Sequence, residues 1–305
     1  MLSEVEAKAV IAAYGISVPE TILARSAEEA GHAAEKLLQS SAKVAVKLSS
    51  KVLTHKSDIG GVILDIETAD DARRAAELIA QRARKLAPEA VIDSFTVQPM
   101  IVRKQAQELI IGVSEDPVFG PVLMFGAGGT AVEVMDDTSV ALPPIDEAIA
   151  LEMIAHTRIG KLLAGYRDRK PADQAAIAQA LCAMSQMVVD FPCIKSMDVN
   201  PLLADSTGVI ALDARIEFDP VLVERKGPHP GLAILPYPSG WDKEIAAGGD
   251  HYLLRPIKPS DALLYPDFLS KVSPDDLRRR FLAPRKEFSS QMLMRLTQLD
   301  YDRDM

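Results

Sequence analysis

The sequence predicts an α+β protein with two lobes, followed by a linker and a short further segment. Three observations carry this. The first hundred residues read β-α-β-β-α-β, with amphipathic helices between short valine- and isoleucine-rich strands. Strand-like runs then crowd together between residues 92 and 128 with no helix between them, a mark of antiparallel pairing rather than a regular alternating α/β sheet. Finally, proline and glycine gather in FDPVLVERKGPHPGLAILPYPSG, which has no sustained period and reads as a linker. A doubly wound dinucleotide fold needs a glycine-rich turn after its first strand. Here the first strand runs into SAEEAG, which argues against that fold.

SEVEAKAVIAAYGI (3–16) opens with a capping box, Ser3 and Glu6, and stops at Gly15. Val5, Ala9, Ala12 and Ala13 are taken as its apolar face. VPETILAR reads as a strand, and SAEEAGHAAEKLLQ repeats the box with Ser26 and Glu29. KVAVKL and VILDI are strands on either side of a polar loop, and TADDARRAAELIAQRARKL is a strong helix. IDSFTVQPMI, QELIIGVSED and PVLMFGAG suggest a three-stranded meander. Helices near 146–157 and 172–189 follow, then the strand-like runs IKSMDVNPLLA and GVIALDARI. These readings give one domain over 1–222, with lobes of about 1–100 and 101–222, a linker over 223–250 and a segment over 251–305.

The chain has 305 residues, 48% hydrophobic and 25% charged, enough apolar matter for a real core. A net charge of −9 argues against broad nucleic-acid binding, which needs a basic face for phosphates. Of two cysteines, Cys182 lies in an apolar helical pattern and reads as a buried thiol, not a disulfide or metal ligand. No stretch is apolar enough to cross a bilayer, and the N-terminus is unlike a signal peptide. A cytoplasmic protein is expected, and its oligomeric state is left open.

Lys47 sits in the apolar strand VAVKL, where burial is costly without a partner. Either its face of the strand meets water, or it is a cation aimed at phosphate in a cleft. Gly60 and Gly61 close the loop that follows and permit close backbone approach to phosphate. His55 in that loop is either a solvated histidine or a group that titrates, binds phosphate or carries a phosphoryl group. Glu108 begins a strand much as Lys47 interrupts one, and FGAGG (125–129) is a tight turn or a second glycine cradle. Asp198 and Asn200 are two apart and so share a strand face, with Asp213 on the next run. Hard oxygen donors of this kind suit Mg²⁺. Asn-Pro can also be an ordinary turn.

KLSSKVLTHKSDIGGV, QELIIGVSEDPVFGPVLMFGAGG, VALPPID and DVNPLL, in this order and spacing, resemble the ATP-grasp domain of NDP-forming acyl-CoA synthetases, including acetate–CoA ligase (ADP-forming). The likeness covers roughly residues 1 to 220. It implies ATP/ADP and Mg²⁺ as cofactors. It also implies a partner with the CoA-binding and ligase domains and a phosphorylated histidine, which this chain lacks, so that CoA thioester is handled only with that partner. By the same resemblance Lys47 contacts nucleotide phosphates and Gly60 and Gly61 close over them. Gln98 and Met100 meet adenine and ribose at the hinge between lobes, and Glu108 is the acidic residue of the nucleotide site. Asn200 and Asp213 hold Mg²⁺, Asp198 steadies the phosphohistidine loop, and His55 relays the phosphoryl group.

YLLRPIKPSDALLYPDFLSKVSPDDLRRRF and LTQLDYDRDM are similar to the start of the GNAT domain in bacterial protein lysine acetyltransferases, where it follows a synthetase-like region. The chain thus resembles an internal slice of such a fusion. The acetyl-CoA loop of that family, R/Q-x-x-G-x-G/A, does not occur in 251–305. Three expectations follow: an acid–thiol ligase part inactive without its partner, a nucleotide- or acyl-CoA-sensing regulatory module without turnover, or a broken reading frame with exposed apolar surface in 251–305.

Overall fold

The computed structural model describes residues 1–49, 60–86, 94–129, 137–165, 167, 170–225, 228–282, 288–299 and 301. Two sheets organise the chain up to residue 218. The smaller contains β1 (Ile22–Ala24), β2 (Val44–Ser49), β3 (Val62–Ile66) and β4 (Ser94–Pro99), in the antiparallel order β1-β4-β2-β3. Helices α2 (Ala27–Leu37) and α3 (Ala69–Leu86) pack on one of its faces. Val44, Val46, Leu48, Phe95 and Val97 point into that core, so strand alternation sends Lys47, Thr96 and Gln98 to the opposite face. Those three are also buried, and that second, polar face is what positions the site.

The larger sheet runs β10-β8-β5-β6-β7, where β5 is Gln107–Asp116, β6 Gly120–Ala127, β7 Thr138–Ala141, β8 Ile194–Asp205 and β10 Ala214–Phe218. β9 (Gly208–Ala211) pairs with β8 as well. Its core is closed by α4 (Glu147–Ala155), α5 (Arg158–Leu163) and α6 (Gln174–Asp190). Asp137 secures α5, its two carboxylate oxygens accepting from the Arg158 and Ile159 backbone N–H groups at 2.6 and 2.8 Å.

The structure differs from the sequence expectations in several places. The three-stranded meander does not form: β4 pairs with β1 and β2, while β5 and β6 pair in the other sheet. Helix α1 (Glu4–Ala13), counted with the first lobe, packs its Ala7 and Ile11 into the larger core. The capping box is present, but α1 buries Glu4, Ala7, Lys8 and Ile11 rather than the Val5–Ala9–Ala12–Ala13 face. An apolar count cannot see this, because two of the four buried residues are charged. Finally, GVIALDARI is not one strand. It breaks between β9 and β10, where the Leu212 N–H turns to the Pro201 carbonyl at 3.0 Å.

Beyond residue 218, β11 (Lys243–Ala247) lies inside the expected linker and forms a hairpin with β12 (Asp250–Leu254). A 3₁₀ turn at Pro259–Leu263 and helices α7 (Tyr265–Lys271), α8 (Pro274–Phe281) and α9 (Ser290–Thr297) follow. Tyr301 meets Tyr237 and Trp241 edge-on, a small aromatic cluster tying this segment together. The hairpin is exposed along its length, and Leu263, Leu264, Phe268 and Leu282 are exposed as well. Among the described residues, no helix is long and apolar enough to cross a membrane.

Candidate functional site

Lys47 is buried, and its partners lie across the gap between the sheets. Its Nζ stands 3.2 Å from Glu4 Oε1 on α1 and donates to the Leu212 carbonyl at 2.9 Å. The same Glu4 oxygen accepts from Lys8 Nζ at 2.9 Å. Lys8 also donates to Gln98 Oε1 at 2.6 Å and Thr21 Oγ1 at 3.1 Å, and Thr96 Oγ1 reaches the other Glu4 oxygen at 3.5 Å. Burying charges is costly unless they are paired and hydrogen-bonded, and here one carboxylate faces two ammonium groups. Burial pushes the Lys8 pKa down to about 8; nearby Lys47 pushes the same way and Glu4 opposes both.

The loop after β2 returns beside Lys47, where the Gly61 carbonyl accepts from the Leu48 N–H at 2.7 Å. Gly60 has φ +62, and a Cβ there would come within 2.9 Å of an Arg82 guanidinium nitrogen. His55 lies outside the described residues. Met100 sits just past β4, its N–H donating to the Lys43 carbonyl at 2.9 Å. Gln98 lies two residues earlier, with its amide oxygen given to Lys8, so its side chain serves the buried network.

The larger sheet turns its own polar face to this region. Met197 and Val199 enter the core of β8, which puts Asp198 and Asn200 on the other side. Ala214 pairs with Val199, so Asp213, one residue earlier, stands beside Asn200, one residue later. Two hard oxygen donors therefore sit on adjacent strands, and the residue next to Asp213 is Leu212, whose carbonyl holds Lys47. Asp198 stands opposite Gly112 of β5. Alternation puts Glu108 on the face of Gly112, at the exposed start of that strand. Gly129 explains the glycine pair after β6: its φ is +66, and a Cβ would lie 2.1 Å from Glu108 Oε2. The second glycine cluster is thus a seat for the Glu108 carboxylate.

The fold brings Lys47, Asn200 and Asp213 to one region, and Glu108 to the same face of the larger sheet. The Gln98 side chain joins the same buried network through Lys8. Among the described residues, no group of three His, Cys, Asp or Glu could hold a metal by itself. A separate cleft of about 330 Å³ lies between β3 and α3. Asp65, Glu67 and Asp71 line it with Arg74, a set of charges that opposes rather than attracts phosphate. Sequence reading missed Glu4 and Lys8. The available signal was their i,i+4 spacing beside the capping box.

A buried lysine on one antiparallel sheet, bonded to a carbonyl of a second that carries oxygen donors beside it, is a two-lobed arrangement suited to an anionic ligand with a cation. The ATP-grasp domain family matches residues 1–218. The beta subunit of acetate–CoA ligase (ADP-forming) II from Pyrococcus furiosus is 41% identical over 216 residues, 70% of this chain and 89% of that subunit. An acetyl-coenzyme A synthetase 1 from Ca. Korarchaeum cryptofilum, solved with coenzyme A and Ca-AMPCP, superposes with a TM-score of 0.67 at 37% identity, covering 72% of this chain and 93% of that one. A second structure of that enzyme holds coenzyme A and Mg-AMPPCP, with its phosphohistidine segment pointing towards the nucleotide site. It gives a TM-score of 0.60 at 35% identity, covering 71% of this chain and 93% of that one. The chain belongs to the ATP-grasp domain family, as the ATP-grasp module of the beta-subunit type found in ADP-forming acetyl-CoA synthetases.

Proposed function

We propose that the chain binds a magnesium nucleotide between its lobes and exchanges a phosphoryl group with a histidine of a CoA-binding partner. The balanced reaction is acyl-CoA, ADP and phosphate to acid, CoA and ATP, or its reverse. The phosphohistidine is the species that carries the phosphoryl group to the ADP β-phosphate oxygen. The observation that carries this reading is Lys47. It is a buried cation on the small lobe, bonded to the carbonyl of Leu212, next to Asp213.

In this reading Lys47 takes the nucleotide phosphates, and Gly60 and Gly61 shape the loop above them. Met100 and the backbone of Gln98 border the base at the crossing between lobes, and Glu108 completes the nucleotide site. Asn200 and Asp213 suit Mg²⁺, which commonly takes one or two protein oxygens and fills its shell with water and phosphate. When bound, the ion neutralises charge on the transferring phosphoryl group. Asp198 steadies the partner's phosphohistidine loop, and His55 acts as a relay. Acetate is the acid suggested by the relatives' names, and the cytoplasm is the compartment where acyl-CoA and nucleotide meet.

Calorimetric titration with Mg-ATP tests the reading. Binding should weaken at least about tenfold in Lys47→Ala, and weaken or become metal-independent in Asp213→Ala. Full affinity in both variants would sink it. A second reading is favoured by residues 251–305, which we assign to the start of a GNAT-like domain on sequence likeness. There the module senses nucleotide or acyl-CoA without turnover. Phosphotransfer after the CoA-binding partner is added back would decide against that alternative.

A further inference from the structure

Among the described residues, both partners of Lys47, Glu4 and the Leu212 carbonyl, come from across the cleft. α1 packs into the larger core, and Leu212 links β9 to β10 of the larger sheet. The position of this lysine therefore depends on the other lobe. A lysine stem has many rotamers, and a phosphate-binding ammonium is useful only when they are restricted. Glu4 supplies that restriction, but a carboxylate committed to Lys47 alone would hold the ammonium too tightly for it to share an N–H with phosphate. The structure provides against this. Glu4 Oε1 is closer to Lys8, at 2.9 Å, than to Lys47, at 3.2 Å. Lys8 is in turn fixed by Gln98 and Thr21.

We propose that Glu4 is a positioning residue for Lys47, and that Lys8 is the second cation that shares the Glu4 carboxylate, so that Lys47 stays held while it gives a further N–H to a nucleotide phosphate. This rests on the phosphate-binding reading of Lys47 and extends it to α1, more than forty positions earlier in the chain. The site then begins with the first helix. Glu4 holds the lysine in place before nucleotide arrives and keeps that hold while another of the three ammonium N–H groups meets phosphate.

A double-mutant cycle on the full chain tests this, with Mg-ATP affinity measured by calorimetry for wild type, Lys47→Ala, Glu4→Gln and the double variant. Glu4→Gln should weaken binding about tenfold, the scale of one charge-assisted hydrogen bond. It should change affinity less than about twofold when Lys47 is already alanine. A merely structural Glu4 would act equally in both backgrounds, and that result overturns the proposal. So does unchanged affinity in Glu4→Gln. If Lys47→Ala itself binds normally, the phosphate reading of Lys47 fails first and takes the inference with it.

The second readout is the rate at which an acetylating N-hydroxysuccinimide ester labels Lys47, followed by mass spectrometry. Glu4→Gln should speed labelling, and Mg-ATP should slow it in wild type. Should Glu4→Gln fail to fold, Lys8→Met serves instead. It takes the second cation from Glu4 and tightens its hold on Lys47, so labelling should slow and Mg-ATP binding weaken. No change in either would refute the assignment.

Discussion

Lys8 makes stability depend on pH in a direction opposite to a simple surface lysine. It is 2% exposed, and burial lowers its pKa from the ordinary 10.5 to about 8. Between those values the unfolded chain holds a proton that the folded chain has given up. Stability therefore rises with pH across this window, because the unfolded state binds more protons there. Below about pH 8 both states carry the charge, and the folded state bears the full cost of burying it. The gap between 10.5 and about 8, at ~1.4 kcal/mol per tenfold, sets an upper bound of about 3 kcal/mol. Urea unfolding of wild type and Lys8→Met at constant ionic strength between pH 7.5 and 10.5 isolates this one group. Wild type should gain on the variant as pH rises, by up to about 3 kcal/mol. Parallel curves would mean that Lys8 keeps its proton in the folded state, and the account of the Glu4 network would have to change.

Gly129→Ala should weaken Mg-ATP binding more than it lowers the melting temperature. The left-handed backbone costs about 1–2 kcal/mol for a residue with a Cβ, and that Cβ displaces the Glu108 carboxylate; a purely thermal effect would show the turn to be structural. Asp137→Ala removes the acceptor for two backbone N–H groups at the start of α5. It should destabilise the chain by about 1–3 kcal/mol, read from the urea midpoint, and a shift under 0.5 kcal/mol would contradict it. Asp261→Asn breaks the paired 2.6 and 2.7 Å bonds to Arg255. Limited proteolysis between 255 and 264 should quicken while nucleotide affinity stays put; a drop in affinity would tie that segment to the site.

What could be read from the sequence was local. VILDI and QELIIGVSED are strands with the expected bounds, and the Ser3–Glu6 capping box forms as read, while at Ser26 only the serine half forms and the Glu29 carboxylate accepts from the Arg25 N–H instead. Each depends on a few neighbouring residues. The errors are long-range. Nothing in IDSFTVQPMI says that its strand belongs with β1 and β2 and not with the adjacent β5. Nor could hydrophobic periodicity find the buried face of α1, since Glu4 and Lys8 are buried for the sake of Lys47 and Gln98. The question raised by a lysine in an apolar strand has a protein answer, Glu4 and the Leu212 carbonyl, and half of it lay near residue 212. Asn200 and Asp213 were legible because strand alternation and adjacent runs almost suffice to pair them.

The placement of α1 has a bearing on how the chain is made. The Leu2 N–H donates to the Ile216 carbonyl at 2.9 Å, so the larger lobe joins the two ends of a stretch of more than two hundred residues, with the small lobe spliced between them. The small lobe is continuous from about 22 to 99 and is complete long before its neighbour. On the ribosome it can fold while α1 still waits with no surface to dock against. Lys47 would then be synthesised and packed into its strand well before Leu212 emerges to receive it. A nascent chain arrested near residue 130 should already protect the amides of β2 and β4 from exchange while those of α1 exchange freely. Equal protection of α1 at that length would show that another surface receives it first.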